Sequence, residues 1–216
     1  MWTQEDFHQM GWHDSQIYKI RFSKEFELDI DYILKRNKPD LVGLPFTYWV
    51  VPSTLIFKEV KNIEFKIDST PFSELQIEDI EREVKDGIEY WRIITRDGYF
   101  EFESSGYHQY MRQEPFFQFG QTIPYQERNG YSLEPTTNQD NPKRLMKEIA
   151  EQRVKNLEHY ENVKKRHLKR QAKVKLEEQW LKKEITPKEY LKKKREIKEV
   201  IEFYSFCLED TIFENW

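Results

Sequence analysis

The residues with the most evident capacity for chemistry lie near the start of the chain, in the stretch GWHDSQIYKIRFSKEFELDIDY (residues 11–32). The third and fourth residues of the stretch are the adjacent pair His13-Asp14. Carboxylates then follow at every second position: Glu25, Glu27, Asp29 and Asp31. A histidine can act as a general base, and converging carboxylates can hold a cation or a basic partner.

The spacing of these residues favours a structural role. Adjacent strand residues point to opposite faces, so His13 and Asp14 are not expected to act together. Carboxylates two residues apart on one strand lie about 7 Å from each other, too far to converge on one ion. We therefore predict that Glu27, Asp29 and Asp31 form a solvent-exposed sheet face. In a functional role, this acidic face would bind a basic partner.

A second candidate site is the alternating set His108, Tyr110 and Arg112. At every second position of a strand, the three side chains share a face. The arginine offers a planar fork for a carboxylate or a phosphate. If the first and last strands pair, His13 joins His108 and Arg112 in one pocket, as in a ligand sensor or an enzyme. Packing of these residues against the core is the alternative.

A third candidate is the basic run KKRHLKRQAKVK (residues 164–175) on a predicted helix. Lysines and arginines along a helix can follow the phosphates of a nucleic acid. The residues predicted to make such contacts are Lys164, Lys165, Arg166, Lys169 and Arg170. A solvated helix face, docking on the acidic half of the chain, and contact with a partner protein are the alternatives.

Motifs for catalysis, cofactors and metals are missing from the sequence. None of the seven glycines belongs to a G-x-G-x-x-G or G-x-x-x-x-G-K pattern, and H-E-x-x-H, C-x-x-C and G-x-S-x-G do not occur. His159 and His167 are eight residues apart on a helix, too far to share one metal. We predict no metal site, no cofactor and no catalytic residue, and therefore a protein that is not an enzyme.

The elements that position these residues begin with a predicted β-hairpin, because apolar and charged residues alternate on both sides of residues 23–25. A three-residue loop sets Phe22 opposite Phe26, Ile20 opposite Leu28, and Tyr18 opposite Ile30. On the other face, the same register sets Arg21 opposite Glu27 and Lys19 opposite Asp29. A shift by one residue would mix the two faces.

Further strands are predicted at residues 46–57, 63–67, 91–102 and 107–112. Pro52 lacks an N–H, so an edge or a bulge is expected there, and Asp97-Gly98 suits a hairpin turn. The 15 Phe, 6 Trp and 12 Tyr residues can fill a large core. The predicted class is α+β, with an antiparallel β-sheet body of seven to nine strands, a sandwich or partial barrel, followed by a C-terminal α-helical hairpin.

Three segments are predicted along the chain: an antiparallel β domain at 1–134, a linker at 135–142, and a charged helical hairpin at 143–216. Asn141-Pro142 suits the start of the first helix. The capping box Thr186-Pro187-Lys188-Glu189 suits the start of the second helix, after a turn at 184–186.

The two halves of the chain have opposite net charge. Residues 1–140 hold 15 Lys and Arg against 25 Asp and Glu, whereas residues 141–216 hold 20 Lys and Arg against 14 Asp and Glu. Such opposed charge favours docking of the helices on the β domain, or an acidic partner for them. The helices also offer a route to homo-oligomers.

Four segments resemble, in order, the motifs of a family of uncharacterised bacterial proteins. That family has a W-H-D-x-x-I opening, an L-D-I-D-Y-I strand, a W-V-x-P-x-T-L-x-F strand and a G-(F/Y)-x-Q-Y-x-R-x-x-P segment. The matching segments here are 12–15, 26–34, 48–57 and 106–115, and the resemblance covers residues 10–134. The family is similar in setting to the immunity proteins of bacterial toxin systems. The I-T-x-x-E-(Y/F)-x-x-K element of the tail resembles short helical-hairpin domains appended to many bacterial proteins.

These observations predict a non-catalytic protein-binding component of a bacterial toxin-immunity or anti-phage defence system, with a toxin or defence protein as its partner. The alternatives are a nucleic-acid-binding accessory protein that uses the basic helix, and a small-ligand sensor or enzyme with a His/Arg pocket. The single cysteine, Cys207, together with the absence of a signal-peptide pattern and of an apolar run of about 18 residues, predicts a cytoplasmic protein without membrane contact.

Overall fold

A computed structural model describes residues 1–68, 75–139 and 143–216, the last range without the side chains of residues 143–145. The strands are β1 (Trp2–Thr3), β2 (Ser15–Phe22), β3 (Phe26–Asn37), β4 (Thr47–Phe57), β5 (Lys61–Ile67), β6 (Gln76–Lys85), β7 (Ile88–Thr95), β8 (Gly98–Glu103), β9 (Tyr107–Met111) and β10 (Phe116–Gln118). The helices are a 3-10 helix (Gln4–Gln9), α1 (Lys143–Leu181) and α2 (Pro187–Phe206).

The ten strands form one antiparallel sheet, and α1 and α2 form a C-terminal hairpin, so the predicted α+β class is confirmed. The strand order is β1-β9-β4-β3-β2-β6-β7-β8-β5, and β10 also pairs with β4. β2 and β6 pair only at Ser15 with Ile77 and Gln16 with Gln76. The sheet bends at this narrow junction, so that β2, β3, β4 and β9 form one layer and β5 to β8 the other.

Large aromatic rings fill the space between the two layers. Phe26 of β3 lies 5.3 Å from Phe100 and 5.2 Å from Phe102, measured between ring centroids. Phe57 of β4 lies 5.2 Å from Trp91 of β7. All five rings are buried, and because each removes a large area from water, they account for much of the stability of this unit.

The predicted β2–β3 register is confirmed at the loop end of the hairpin. Phe22 pairs with Phe26, Ile20 with Leu28, Arg21 with Glu27, and Lys19 with Asp29. The predicted pairing of Tyr18 with Ile30 is wrong, because a bulge between Ile17 and Lys19 sets Ile17 opposite Ile30. A bulge leaves one residue unpaired and re-aims its side chain. Here it directs the Tyr18 hydroxyl to Asp31, at 2.8 Å.

Pro52 lies within β4, where it pairs with Asp31 of β3. The edge predicted there is local, because neither β9 nor β10 pairs with the other side of β4 at Pro52. β4 changes its other partner at this point, because residues 53–57 pair with β9 and residues 48–50 with β10. The Arg112 N–H donates to the Pro52 carbonyl at 2.9 Å. Since the N–H and C=O of a strand residue point to the same side, the missing N–H of Pro52 falls in the gap between β9 and β10.

The β7–β8 hairpin turns at residues 96–97, one position before the predicted Asp97-Gly98, and Gly98 pairs with Thr95. Gly98 has a φ of 151°, a conformation that glycine adopts readily. A Cβ at this position would lie 1.9 Å from the carbonyl oxygen of Lys66 on β5. Glycine therefore allows β5 to approach β8.

The chain divides into two units. The β unit comprises residues 1–38 and 46–145, and the helical unit comprises residues 39–45 and 146–216. The helix start predicted at Asn141-Pro142 lies outside the described residues. The predicted start of the second helix is confirmed, since Thr186 caps α2 and forms a capping box with Glu189.

We expect Gly98→Ala to lower the free energy of unfolding of the β unit by about 1–3 kcal/mol, because the new methyl group meets a backbone atom and φ is strained. Urea unfolding followed by tryptophan fluorescence measures the change. Gly120→Ala is the matched control, since a Cβ there meets nothing within 4 Å. Equal stability of the two variants would contradict the packing described for Gly98.

Candidate functional site

Asp29 and Asp31 of β3 are fully buried, and the prediction of a solvent-exposed acidic face is wrong. Each is 0% exposed, and Glu27 is 3% exposed. The segment is a strand, as predicted, and its carboxylates share one face. However, residues 112–132 make hydrogen bonds to this face and bring two arginines to it. These carboxylates are therefore not a surface for a basic partner.

Asp29 accepts four hydrogen bonds. Its Oδ1 accepts from Arg112 Nη2 and Arg128 Nη2, both at 2.8 Å. Its Oδ2 accepts from Arg128 Nη1 at 2.9 Å and from the Ser132 N–H at 3.0 Å. A carboxylate offers about four acceptor positions, so Asp29 is saturated.

Asp31 is held by the same arginine and by two further donors. Arg128 Nε donates to its Oδ1 at 3.2 Å, while the Ile123 N–H and the Tyr18 hydroxyl donate to its Oδ2 at 2.7 Å and 2.8 Å. Burial raises the pKa of Asp31, against the opposing effects of Arg128 and these donors. Burial and the nearby Asp31 charge also raise the pKa of Tyr18, so its hydroxyl keeps the proton that it donates.

Arg128 is enclosed by aromatic rings as well as by carboxylates. Its guanidinium carbon lies 4.1 Å from the ring centroid of Tyr18 and 5.2 Å from that of Tyr131. A desolvated cation–π contact is worth about 2 kcal/mol or more. Arg128 Nη1 also donates to the Gly130 carbonyl at 3.0 Å.

Arg112 is equally committed to internal contacts. Besides Asp29, it donates to Thr54 Oγ1 at 3.0 Å, the Ser132 carbonyl at 2.7 Å and Gln139 Oε1 at 3.2 Å. Its side chain is 0% exposed. The ligand contact predicted for Arg112 is therefore replaced by a structural role, in which it ties residues 132–139 to the sheet.

We call Asp29, Asp31, Arg112 and Arg128 the Asp–Arg cluster. Its donors and acceptors are matched to one another, to backbone groups and to the side chains of Tyr18, Thr54 and Gln139. Burying charges costs several kcal/mol per ion unless they are paired in this way. The cluster accordingly anchors residues 112–139 to the sheet and leaves no carboxylate oxygen for a ligand.

The predicted pocket of His13, His108 and Arg112 does not form, because the three side chains have different partners. His13 is largely exposed, and its Nδ1 lies 2.8 Å from the Glu78 carbonyl. His108 Nε2 lies 2.8 Å from Lys58 Nζ. With the Lys58 ammonium as donor, His108 accepts at Nε2 and carries its proton on Nδ1.

His108 and Tyr110 are brought together as the sequence predicts. His108 Nδ1 lies 3.1 Å from the Tyr110 hydroxyl. Burial and the charge of Lys58 lower the pKa of His108. This pair and Lys58 form a chain of hydrogen bonds at the partly exposed end of β9.

An exposed acidic surface lies in the other layer of the sheet. On the exposed sides of β6, β7 and β8, which we call the outer face, carboxylates surround Tyr90 and Arg92. The carboxylates are Glu81, Glu83 and Glu101, and together these residues line a shallow cleft of about 260 Å³. Arg92 pairs with Glu81 and Glu101 across the strands, and its Nε lies 3.0 Å from the Glu101 carboxylate.

The outer face was not predicted from the sequence, because β6 was not among the predicted strands. A signal was present, since Asp86-Gly87 has φ values of 52° and 78° and forms the tight turn between β6 and β7. An Asp-Gly pair between two alternating segments is a strong hairpin signal.

The predicted nucleic-acid contacts of the basic helix have mixed positions. Arg166 is 2% exposed, and its Nη2 donates to the carbonyls of Phe213, Glu214 and Trp216 at 3.1, 2.9 and 2.7 Å. Its predicted contact with phosphate is therefore corrected to a role inside the helical unit. Arg170 adds a bond to the Trp216 carbonyl at 3.3 Å.

Lys164 is also engaged within the helical unit, where it pairs with Asp40 at 2.6 Å and Glu161 at 2.9 Å. Lys165 and Lys169 are exposed, as is Lys173 one turn further on. Residues four apart lie on the same side of a helix. We call Lys165, Lys169 and Lys173 the lysine stripe.

In comparisons with known proteins, no family model and no curated protein matches the chain. The motif resemblance to immunity-like bacterial proteins stays a prediction. Across residues 1–68, 75–139 and 143–216, no helix is both long and apolar enough to cross a membrane. Over the same described ranges, no three His, Cys, Asp or Glu side chains are grouped as metal ligands.

We expect Arg128→Gln to lower the free energy of unfolding by about 3–5 kcal/mol, because it leaves the buried Asp31 without a cation and Asp29 with Arg112 alone. Urea or thermal unfolding measures the loss. The control is Arg92→Gln, which removes a half-exposed ion pair and should change stability by at most about 1 kcal/mol. A loss for Arg128→Gln no larger than that of the control would show that the Asp–Arg cluster does not stabilise the β unit.

Proposed function

We propose that the chain is a non-catalytic protein-binding component of a bacterial toxin-immunity or anti-phage defence system. In this proposal the outer face binds a basic partner protein. The cleft around Tyr90 carries the proposal, because it combines exposed carboxylates with an accessible aromatic ring. The order of the four sequence motifs supports the toxin-immunity context.

The chemistry of the cleft suits a lysine or arginine side chain. Tyr90 is 38% exposed, and tyrosine is frequent among residues that dominate binding energy. Glu81 lies opposite Arg92 in the β6–β7 register, but the ion pair of Arg92 is made with Glu101. A partner's guanidinium entering the cleft would lie against the Tyr90 ring and meet the Glu81 carboxylate. It would share the Glu83 carboxylate with Lys85, whose Nζ lies 2.7 Å away within the chain.

The Asp–Arg cluster makes the outer face more important for binding. The carboxylates of β3 are neutralised internally and contribute little to the potential at the surface. Those of the outer face stand in water, where they attract a basic partner over distances of about 10 Å. Long-range attraction of this kind raises association rates more than it slows dissociation.

The test begins with affinity capture at low salt from the native host, followed by purification of the recovered partner. We expect the triple variant Glu81→Gln/Glu83→Gln/Glu101→Gln to weaken binding at least about tenfold, mainly through a slower association rate. Surface plasmon resonance at several salt concentrations measures both rates. Tyr90→Ala should instead speed dissociation, because it removes a ring contact without changing charge.

A matched control neutralises three exposed glutamates of the helical unit: Glu178→Gln/Glu184→Gln/Glu209→Gln. This variant has the same net charge as the outer-face variant and should bind normally. Equal losses in both variants would mean that only net charge matters. Recovery of no stoichiometric partner would count against a protein-binding role altogether.

Nucleic-acid binding is a second candidate function, and the lysine stripe is the observation that favours it. Three exposed lysines at four-residue spacing can each meet a phosphate along one side of a helix. Lys164 and Arg166 are unsuitable for the test, because their replacement would disturb the helical unit itself.

We expect Lys165→Glu/Lys169→Glu/Lys173→Glu to abolish retention of DNA or RNA at about 50 mM salt, where release of counterions favours binding most. Gel retardation and fluorescence anisotropy measure this loss. The control is Lys188→Glu/Lys192→Glu/Lys193→Glu, three exposed lysines of α2. If the unaltered chain retains no nucleic acid under these conditions, this second function is excluded.

A further inference from the structure

β5 is an edge strand with open hydrogen-bonding groups. It pairs with β8 on one side, and no described strand pairs with its other side. The Asp68 N–H donates to the Asp97 carbonyl at 2.7 Å, so even-numbered residues here direct their backbone groups towards β8. Because backbone direction alternates along a strand, the N–H and C=O of Phe65 and Ile67 point to the open side.

The side chains at this edge are exposed and partly apolar. Phe65 is 62% exposed and Ile63 is 37% exposed. The Phe65 ring lies 6.3 Å from Phe100 and 6.1 Å from Phe22, which is itself 50% exposed. The aromatic core thus continues to the edge of the sheet, and such an edge is a template for another strand.

The sequence of β5, KNIEFKI, is complementary to itself in one antiparallel register. If two copies pair about Phe65, Glu64 of each copy lies opposite Lys66 of the other. Phe65 then faces Phe65. The regular part of the pairing runs from Glu64 to Lys66, because a register shift lies between Lys61 and Glu64. Pairing about Glu64 would set Glu64 opposite Glu64, and pairing about Lys66 would set Lys66 opposite Lys66, so like charges disfavour both neighbouring registers.

The backbone supports the same register. A twofold axis at Phe65 makes the two phenylalanines a hydrogen-bonded pair, which requires backbone groups that point to the open side. Phe65 meets this condition. Within its own chain Glu64 lies opposite Glu101, and like charges directly opposite each other are unfavourable. In the dimer, Lys66 of the second copy lies opposite Glu64, in addition to its pair with Asp68 of its own chain at 3.3 Å.

We propose that two copies of this chain pair antiparallel through the open edge of β5, in the register centred on Phe65. The outer faces of the two copies then belong to one continuous sheet. This interface is separate from the helices, to which the sequence analysis assigned homo-oligomer formation. It is also independent of the proposed function, since it involves no partner protein.

The test is the oligomeric state of the full chain, measured by sedimentation equilibrium and light scattering over a wide concentration range. We expect a dimer that dissociates on dilution. Glu64→Lys and Lys66→Glu should each weaken it about tenfold or more, because both cross-strand pairs of the dimer become repulsive. The double variant Glu64→Lys/Lys66→Glu should restore dimerisation, since the exchanged charges again face their opposites.

Lys85→Glu is the matched control. It reverses an exposed charge at the end of β6 and should leave the dimer unchanged. Circular dichroism verifies that each single variant is folded. A chain that stays monomeric at all concentrations overturns the proposal, as does binding of another protein's strand to a monomeric chain. A dimer that resists both single variants, or that the double variant fails to restore, overturns it equally.

Discussion

The burial of Asp29 is the constraint on which the β unit depends. A carboxylate in the interior is tolerable only when cations and N–H groups replace its water. Two arginines and a backbone N–H do so here. The positions of these three donors require residues 112–132 to lie across the sheet. This segment therefore covers the second face of β3 and buries it. The strand is therefore buried from Phe26 to Ile33 on both sides, by aromatic rings on one and by ion pairs on the other.

Local features of the fold were predictable from the sequence. The period-2 alternation on both sides of residues 23–25 sufficed for the β2–β3 register near the loop. The capping box at Thr186 marked the start of α2 correctly. Both depend on residues within a few positions of each other, so the relevant physics is contained in a short window. β6 escaped prediction because a register shift between Ile77 and Asp79 interrupts its alternation.

The candidate site was less predictable, because it depends on contacts between distant residues. An alternating row of carboxylates looks the same whether it faces water or lies beneath a covering segment. Its burial follows from Arg112 and Arg128, which lie 83 and 99 residues beyond Asp29. No local propensity indicates such a pairing. The net charge of a segment was a poor guide to its surface potential for a related reason. Ions that are paired inside the molecule count in the net charge of the sequence but contribute little to the potential at the surface.

The two layers of the sheet consequently use polar residues in different ways. In the layer of β2, β3 and β4, charges secure the chain to itself. In the layer of β5 to β8, charges remain at the surface, and the open edge of β5 adjoins them. The layer with the exposed charges also contains β6, the strand that was not predicted from the sequence.

The long interval between Asp29 and Arg128 affects the order of events during synthesis. At elongation rates of up to about 20 residues per second, the ribosome needs roughly 5 s or more to proceed the 99 residues from Asp29 to Arg128. Throughout this time Asp29 and Asp31 lack the guanidinium that both of them bind, and that side of the nascent strand stays solvated. Completion of the β unit must wait for Arg128 to emerge. Until then, the sheet of the growing chain is incomplete. A chaperone would therefore bind the nascent chain mainly during this interval.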